Sequence, residues 1–373
     1  MKPVDITIRR YHDGKILSVT DIFPHTIDHY GAPYLQIHRA DYHRVLTKAA
    51  RDLGVQIQLD SAVTDIDFET PAVRIAGKPD VYADLIIGAD GLKSVCREKL
   101  LGRPDPPRLT GQMAYRAVIS THDMLKHPEL AELVNEHRMT YWTGPDAHVV
   151  GYPLKRGGMY NAVLARTDNL PEMVHTMKAD LQEMHDFFSK WDPKFRTLLS
   201  LVKETSKWKL QNSDEMESWS HPSGKFVLMG DACHATLPYM AQGAAIAVED
   251  GAVLGALFEK IENKEQLRDI LVIYETIRKQ RTSKVVKRST VAQTFFHMPD
   301  GERQRERDRQ MLEEEPFEGF PNHWSDPVLQ QWLFGYAVEE EVDKAWKTYK
   351  AGRFPLTFGH HLSVGKPTAS AEE

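Results

Sequence analysis

The chain has 373 residues, of which 27% are charged and 41% hydrophobic, and its formal net charge is −6 at pH 7. This composition is typical of a globular protein, and the mild acidity argues against a protein built mainly to bind nucleic acid. Two cysteines cannot form a disulfide framework, so a reducing, cytoplasmic location is expected. The longest apolar stretch, residues 241–258, contains Glu249 and Asp250 and therefore predicts no membrane span.

The first part of the chain predicts a hairpin, a helix and a set of short strands. Residues 6–10 and 16–19 are expected to pair through a turn at residues 12–15. A helix is expected over residues 39–53 because its apolar side chains recur on one face, and Gly54 follows as a stop signal. Strands are then predicted at residues 55–59, 63–68 and 73–75.

Two short apolar strands without alternation, at residues 84–88 and 226–230, differ from the others. Strands of this kind are usually buried on both faces, as in a parallel sheet. Between them, the proline cluster at residues 103–107 marks a change to strand-rich sequence. The remaining predicted elements are strands at residues 113–120, 139–142, 148–152 and 160–166, helices at residues 171–190, 193–202 and 264–292, and a helix that begins near residue 243.

The first candidate site is the turn that follows the strand at residues 84–88. Asp90 and Gly91 lie in this turn, and a helix is expected to begin near Ser94. Ligands of α/β sheets collect beyond the carboxyl ends of strands, glycine lets the backbone approach a phosphate, and a helix N-terminus offers free N–H groups to an anion. An ordinary strand–turn–helix corner uses the same residue types, so both interpretations stay open.

The second candidate site follows the strand at residues 226–230. Asp231 comes directly after Gly230, and Gly243 and Ala244 open an alanine-rich helix. A carboxylate at a strand end can accept hydrogen bonds from a polyol, and small residues let a flat ring approach the helix start, whose positive end stabilises negative charge on that ring. Alternatively, Asp231 caps a turn and the small residues allow close helix packing.

Taken together, the two motifs resemble those of the group A flavin-dependent monooxygenases, and most closely their fungal salicylate-hydroxylase-like branch. The shared patterns are DGxxSxxR at residues 90–97 and GDAxHxxxPxxxQG at residues 230–243, with a third matching element around Arg39. The resemblance runs from residue 1 to near residue 296. It implies a Rossmann-like FAD/NAD(P)-binding α/β domain, incomplete at its N-terminus, with an inserted strand-rich substrate domain.

The resemblance also implies FAD and NAD(P)H as cofactors and O₂ as co-substrate. The implied reaction is hydroxylation or epoxidation of an aromatic or polyketide-like small molecule through a flavin C4a-hydroperoxide. In the family, the residue that matches Asp231 binds the ribityl chain, and the motif that matches Asp90 touches the FAD pyrophosphate and has been linked to NAD(P)H. The cofactor contacts implied by the resemblance are Arg39, Asp90, Gly91, Asp231, Gly243 and Ala244.

Two residues of the strand-rich segment are candidates for orienting substrate. Arg116 and Tyr152 match positions in the sheet that covers the substrate in the family, although residues on strands are more often structural. The predicted organisation is residues 1–108 and 213–296 for the two parts of the FAD-binding domain, 109–212 for the substrate-binding sheet, and 297–373 for a helical tail.

The family's first strand–GxGxxG–helix unit has no counterpart, because the sequence contains no GxGxxG. The chain is therefore expected to be a fragment, a mispredicted gene product or a remnant that has lost flavin. A non-catalytic binding protein and a flavoprotein dehydrogenase stay open beside the monooxygenase.

Other charged and metal-ligating residues suggest no further site. The dispersed histidines lack a closing ligand pattern, so no metal site is expected. The basic run at residues 278–288 is expected to be a solvated helix face, so no nucleic-acid partner is expected. The sequence does not define the oligomeric state.

Overall fold

The computed structural model describes residues 1–356, which form two compact units. The first unit contains Met1–Gln58, Leu109–Gln211 and Thr290–Tyr336. The second contains Leu59–Arg108, Asn212–Ser289 and the described residues from 337 to 356. The mixed α/β fold expected from the sequence is confirmed, whereas the functional partition into cofactor, substrate and tail segments stays a prediction.

Within the described residues, the strands and helices have the following bounds. The strands are β1 (Asp5–Arg10), β2 (Ile16–Asp21), β3 (Val63–Asp67), β4 (Ala72–Ile75), β5 (Val81–Tyr82), β6 (Ile86–Gly88), β7 (Arg108–Ser120), β8 (Met139–Gly144), β9 (Ala147–Leu154), β10 (Met159–Thr167), β11 (Thr176–Lys178), β12 (Ser206–Asn212) and β13 (Phe226–Leu228). The α-helices are α1 (His25–Tyr30), α2 (Arg39–Asp52), α3 (Val95–Leu101), α4 (Thr121–Met124), α5 (Ala131–Asn135), α6 (Leu181–Phe187), α7 (Pro193–Ser200), α8 (Asp231–His234), α9 (Gly243–Phe258), α10 (Leu267–Phe296), α11 (Glu302–Glu313), α12 (Pro327–Phe334) and α13 (Val338–Lys350). None of these helices is long and apolar enough to cross a membrane.

The first unit is built on one large sheet with the strand order β11-β12-β7-β10-β9-β8-β1-β2. β1 runs parallel to β8, and β7, β10, β9 and β8 are antiparallel neighbours. Side chains alternate between the two faces, as expected for strands. Tyr115 and Ala117 of β7 lie in the core with Met184 of α6 and Phe195 of α7. We call the opposite side of the sheet its outer face.

The second unit contains two small sheets and a helical core. β13 and β6 pair in parallel, and β3, β4 and β5 form an antiparallel sheet. Val253 of α9, Ile270 of α10 and Val342 of α13 pack with Phe226 of β13 in the core of this unit. The parallel pairing of the two apolar strands confirms that part of the prediction.

Three expectations about individual elements are wrong. Residues 55–59 form no strand, and residues 171–190 contain β11 ahead of α6. The strand at residues 84–88 was expected to be buried on both faces, but Ile87 is 40% exposed because the described structure places no further strand beside β6.

The α2 helix has the predicted bounds but not the predicted packing. None of its residues is buried, and its apolar side chains Val45 and Leu46 are 56% and 49% exposed. Leu53, directly after the helix, is 86% exposed. The apolar face of α2 is therefore largely exposed rather than packed within residues 1–356.

Candidate active site

Arg116 and Tyr152, the two predicted substrate residues, lie on the outer face of the first unit's sheet. Arg116 is opposite Val163 of β10, which is opposite Val150 of β9. Tyr152 lies two residues along β9 from Val150 and pairs with Asn161. Because side chains two apart on a strand share a face, the arginine and the tyrosine face the same side of the sheet.

Arg116 lies in a positively charged environment. Partial desolvation lowers the pKa of Arg116, and the nearby charge of Arg39 lowers it further, while Tyr152 acts in the opposite direction. The guanidinium carbon lies 5.9 Å from the centre of the Trp208 ring. Among residues 1–356, no acidic group pairs with Arg116 or Arg39. Two such guanidinium groups attract an anion from outside the protein.

Tyr152 belongs to a group of phenols on the same unit. Burial raises the pKa of Tyr152, although the charge of Arg116 opposes the shift. Burial also raises the pKa of Tyr141 and of Tyr34, and each is within electrostatic reach of Tyr152. These hydroxyls therefore remain protonated at neutral pH and can donate hydrogen bonds.

In the second unit, the turn after β6 is held by its own polar residues. Asp90 accepts a hydrogen bond from the Ser94 hydroxyl and a second from the Cys96 N–H at 3.0 Å. Ser94 in turn caps α3 by accepting from the Arg97 N–H at 2.8 Å. Gly91 has a φ of +82°, which strongly favours glycine. Asp90 therefore organises this turn, and its outward side stays exposed.

Arg97, the last residue of the first motif, connects the two motifs. Its side chain is 3% exposed and forms an ion pair with Asp105 at 2.6 Å. It also donates to the carbonyl oxygens of Asp214 at 2.6 Å and of Cys233 at 3.4 Å. The arginine of DGxxSxxR is thus a structural link to the chain that carries the second motif.

The second motif places Asp231 and the start of α9 at the surface of the second unit. Asp231 lies three residues after the end of β13, is exposed, and its carboxylate has no hydrogen-bond or ion-pair partner among the described residues. Gly243 is partly exposed and Ala244 is exposed at the first turn of α9, whose N-cap residue Gln242 makes no side-chain cap. The first N–H groups of this sixteen-residue helix are therefore available to a ligand.

These features fit a flavin. An unpartnered carboxylate matches the hydroxyls of a ribityl chain, and small side chains at a free helix N-terminus leave room for a planar ring that carries negative charge when reduced. A Cβ added at Gly243 would lie 3.4 Å from the Thr236 methyl group, so Thr236 is in contact distance on the inner side of the helix start.

Sequence reasoning missed the buried charges beneath this site. Arg278 and Asp250 are both 0% exposed and Lys279 is 5% exposed, so the expectation that the basic run is a solvated face is wrong at these positions. Only the position of α10 against α9 reveals the pairing. The one sequence signal was the pair Glu249 and Asp250, two carboxylates in a stretch that is otherwise mostly apolar.

Asp250 also belongs to a group of possible metal ligands. One donor atom each from Cys233, His234 and Asp250 lies within 4.8 Å of the others. However, Asp250 already accepts hydrogen bonds from protein groups, and burial raises the pKa of the Cys233 thiol well above its ordinary value. The arrangement favours a hydrogen-bonded cluster over a metal centre.

A cavity of about 780 Å³ lies elsewhere, against α11 in the first unit. Its lining includes Arg303, Arg305 and Glu306 but none of the residues predicted from the sequence.

These two surfaces have the chemistry expected of a flavin-binding protein, and comparisons with known proteins specify the family. The family profile described as "FAD binding domain" matches residues 24–289. The chain therefore belongs to the family of FAD-dependent aromatic monooxygenases, which confirms the resemblance, the enzyme class and FAD as cofactor.

Individual relatives agree with this assignment. "FAD-dependent monooxygenase OpS4" of Beauveria bassiana is 39% identical over 92% of this chain and 81% of that protein. "3-hydroxybenzoate 6-hydroxylase" of Polaromonas naphthalenivorans is 30% identical over 83% of this chain and 73% of that protein. The solved "Salicylate hydroxylase substrate complex" has a TM-score of 0.75 at 25% identity, over 92% of this chain and 83% of that one.

Proposed function

We propose that this chain uses FAD, NAD(P)H and O₂ to hydroxylate or epoxidise an aromatic or polyketide-like small molecule. The observation that carries the proposal is the exposed, unpartnered Asp231 carboxylate next to β13, in the same unit as the uncapped, small-residue start of α9. The names of two relatives, an FAD-dependent monooxygenase and a hydroxybenzoate hydroxylase, support the reaction class.

Each cofactor contact is proposed from the exposure and chemistry of the residue. Asp231 accepts hydrogen bonds from ribityl hydroxyls, and the N–H groups at Gly243 and Ala244 stabilise negative charge at the ring edge. In the second unit, the exposed side of the Asp90 turn suits a polar group of the cofactor. In the first unit, the unpaired guanidinium of Arg39 suits an anionic group of the cofactor. When bound, FAD supplies hydride acceptance from NAD(P)H and activation of O₂.

On the substrate side, Arg116 and Tyr152 are the proposed catalytic residues. The Arg116 guanidinium stabilises an electron-rich, anionic form of the substrate, such as a phenolate, because no protein carboxylate within residues 1–356 neutralises it. The Tyr152 hydroxyl, kept protonated by its raised pKa, donates a hydrogen bond that orients the ring. Both side chains act from rigid strands, which favours precise positioning.

The first experiment measures flavin binding. The purified chain is soaked with FAD, desalted and examined by visible absorbance, and its Kd is measured by titration. We expect retained flavin, and an increase in Kd of about tenfold or more for Asp231→Ala because a charged acceptor is lost. Asp80→Ala, at an exposed aspartate on another loop of the same unit, serves as the control. A protein that remains colourless would contradict the proposal and favour a non-catalytic remnant.

The second experiment tests the reaction. NADH and NADPH oxidation are measured with and without candidate phenols, and ¹⁸O₂ incorporation into product is followed by mass spectrometry. We expect substrate-dependent oxidation with one ¹⁸O atom in the product, and a loss of kcat/KM of about a hundredfold for Arg116→Met. Oxidised substrate without ¹⁸O would identify a flavoprotein dehydrogenase instead.

A further inference from the structure

A buried cluster lies directly beneath the Asp231 turn in the second unit. We define the Asp250 cluster as His234, Asp250 and Arg278 together with the N–H of Gly230. The Gly230 N–H donates to Asp250 Oδ2 at 2.9 Å, and His234 Nε2 lies 2.6 Å from the same oxygen. Arg278 Nε donates to the other oxygen, Oδ1, at 2.8 Å. One carboxylate therefore joins the end of β13, α8, α9 and α10.

The ionised form of this carboxylate is strongly held. Burial acts to raise the pKa of Asp250, but the hydrogen bond from His234 and the charges of His234 and Arg278 outweigh it and hold the pKa below its ordinary value. A buried charge is tolerated only when its hydrogen bonds are satisfied in good geometry, as they are here. Burying it among apolar core residues would otherwise be strongly unfavourable.

The cluster controls the backbone on both sides of the proposed flavin contacts. Gly230 has φ +62° and ψ −146°, a conformation that strongly favours glycine, and its N–H is fixed by Asp250. Because Gly230 precedes Asp231, this bond sets the direction in which the Asp231 carboxylate leaves the strand. Arg278 also donates to the Ile246 carbonyl oxygen at 3.0 Å, which holds the first turn of α9.

We propose that Asp250, supported by His234 and Arg278, is a positioning residue that orients Asp231 and the N-terminus of α9 for FAD. It touches neither cofactor nor substrate. The inference rests on the proposed function, because it assumes that Asp231 and the start of α9 are the flavin contacts. It adds that their affinity for FAD depends on a carboxylate one layer below the surface.

The main test separates positioning from stability. Asp250→Leu alone removes the carboxylate that accepts from Arg278 Nε, while the ion pair of Arg278 with Glu249 at 2.8 Å remains. It also leaves a buried charge less well compensated and is expected to lower the melting temperature. The double variant Asp250→Leu/Arg278→Met removes both buried charges, and we expect most of the melting temperature to return. FAD affinity should stay about tenfold or more weaker than in the parent, because the Gly230 N–H and the Ile246 carbonyl have lost their charged partners.

A matched control uses another buried carboxylate of the same unit. Glu275 of α10 is 5% exposed and accepts a hydrogen bond from Ser218 at 3.0 Å, and it is not the acceptor of the Gly230 N–H. Glu275→Gln is expected to bind FAD as tightly as the parent. Visible circular dichroism of the bound flavin provides a second readout, because a displaced start of α9 changes the environment of the ring.

The outcomes separate the positioning role of Asp250 from the assignment of Asp231 as a flavin contact. If the double variant recovers both melting temperature and FAD affinity, the Asp250 cluster is structural only and the inference is wrong. If Asp231→Ala binds FAD as tightly as the parent, the assigned flavin contacts are wrong and the positioning role fails with them. Weak FAD binding by the folded double variant, with normal binding by Glu275→Gln, supports the positioning role.

Discussion

Replacing Asp192 tests whether the core of the first unit depends on a carboxylate that accepts two separate hydrogen bonds. Trp142 of β8 is fully buried, and its indole N–H donates to Asp192 Oδ2 at 2.8 Å. The other oxygen caps α7 by accepting from the Lys194 N–H at 3.0 Å. Asp192→Ala removes the cap, which costs about 1 kcal/mol, and leaves the indole N–H without an acceptor, which costs about 1–3 kcal/mol. The expected loss is therefore about 2–4 kcal/mol.

The assay is equilibrium urea unfolding followed by far-UV circular dichroism. Asp192→Ala is measured both in the parent protein and in a Trp142→Phe variant. In that background the indole N–H is absent, so Asp192→Ala should cost only the cap, about 1 kcal/mol. Asp192→Asn keeps an oxygen that can accept from the helix N-terminus. Its loss of unfolding free energy should therefore lie between the losses expected for Asp192→Ala in the two backgrounds. If Asp192→Ala has the same effect with and without the indole, the hydrogen bond contributes nothing and the reasoning is refuted.

Two further predictions concern pH and surface packing. His148 Nδ1 lies 2.8 Å from His297 Nε2, and burial lowers the pKa of both imidazoles, that of His297 to about 4. The unfolded chain therefore binds more protons below pH 6.5, so stability should be complete above that pH and fall by about 1.4 kcal/mol per pH unit for each histidine down to pH 4. Melting temperatures across this range should show a shallower slope for His297→Gln, and equal slopes would contradict the prediction. Leu53→Lys, at an 86% exposed position, should change the free energy of unfolding by less than about 0.5 kcal/mol, whereas Leu254→Ala, at a 2% exposed position, should cost about 2–5 kcal/mol. A comparable loss for Leu53→Lys in urea unfolding would mean that α2 is covered in solution.

The strands of the first unit could be predicted because their sequence pattern and their environment agree. In β7, Tyr115 and Ala117 alternate with Arg116 and Val118, and the structure buries the first pair and exposes the second. Local alternation is sufficient when one face of a sheet packs on helices. The helix start at Gly243 could also be predicted, because small residues follow a loop that contains Pro238.

Prediction failed where a segment needs a partner from elsewhere in the chain. Residues 55–59 alternate Val55, Ile57 and Leu59 with glutamines, which is a strand pattern, yet no neighbouring strand pairs with them in the described structure. The apolar pattern of α2 likewise predicted a helix correctly, but the apolar side chains of that helix are largely exposed. Propensity and periodicity specify what a segment can form, whereas hydrogen bonding and burial depend on the neighbour it meets.

The candidate site shows a similar division between motif and environment. The resemblance selected Asp90, Ser94, Arg97 and Asp231 together, but their environments separate them. Ser94 and Arg97 are almost fully buried and hydrogen-bonded within the protein, whereas the Asp231 carboxylate has no partner among residues 1–356. A motif therefore combines residues that build a turn with residues that face a ligand, and sequence alone does not tell them apart.

The Asp250 cluster consists of residues that do not face the proposed ligand. In sequence, Arg278 stands in a basic run that resembles a solvated helix face, and its partner Asp250 lies 28 positions earlier. Only the packing of α10 on α9 brings the two together and excludes water from both. Since that packing also fixes the Gly230 N–H, the helix interface that stabilises the second unit is the same contact that orients Asp231. Variation at this interface should therefore change flavin affinity without altering any residue that touches the cofactor.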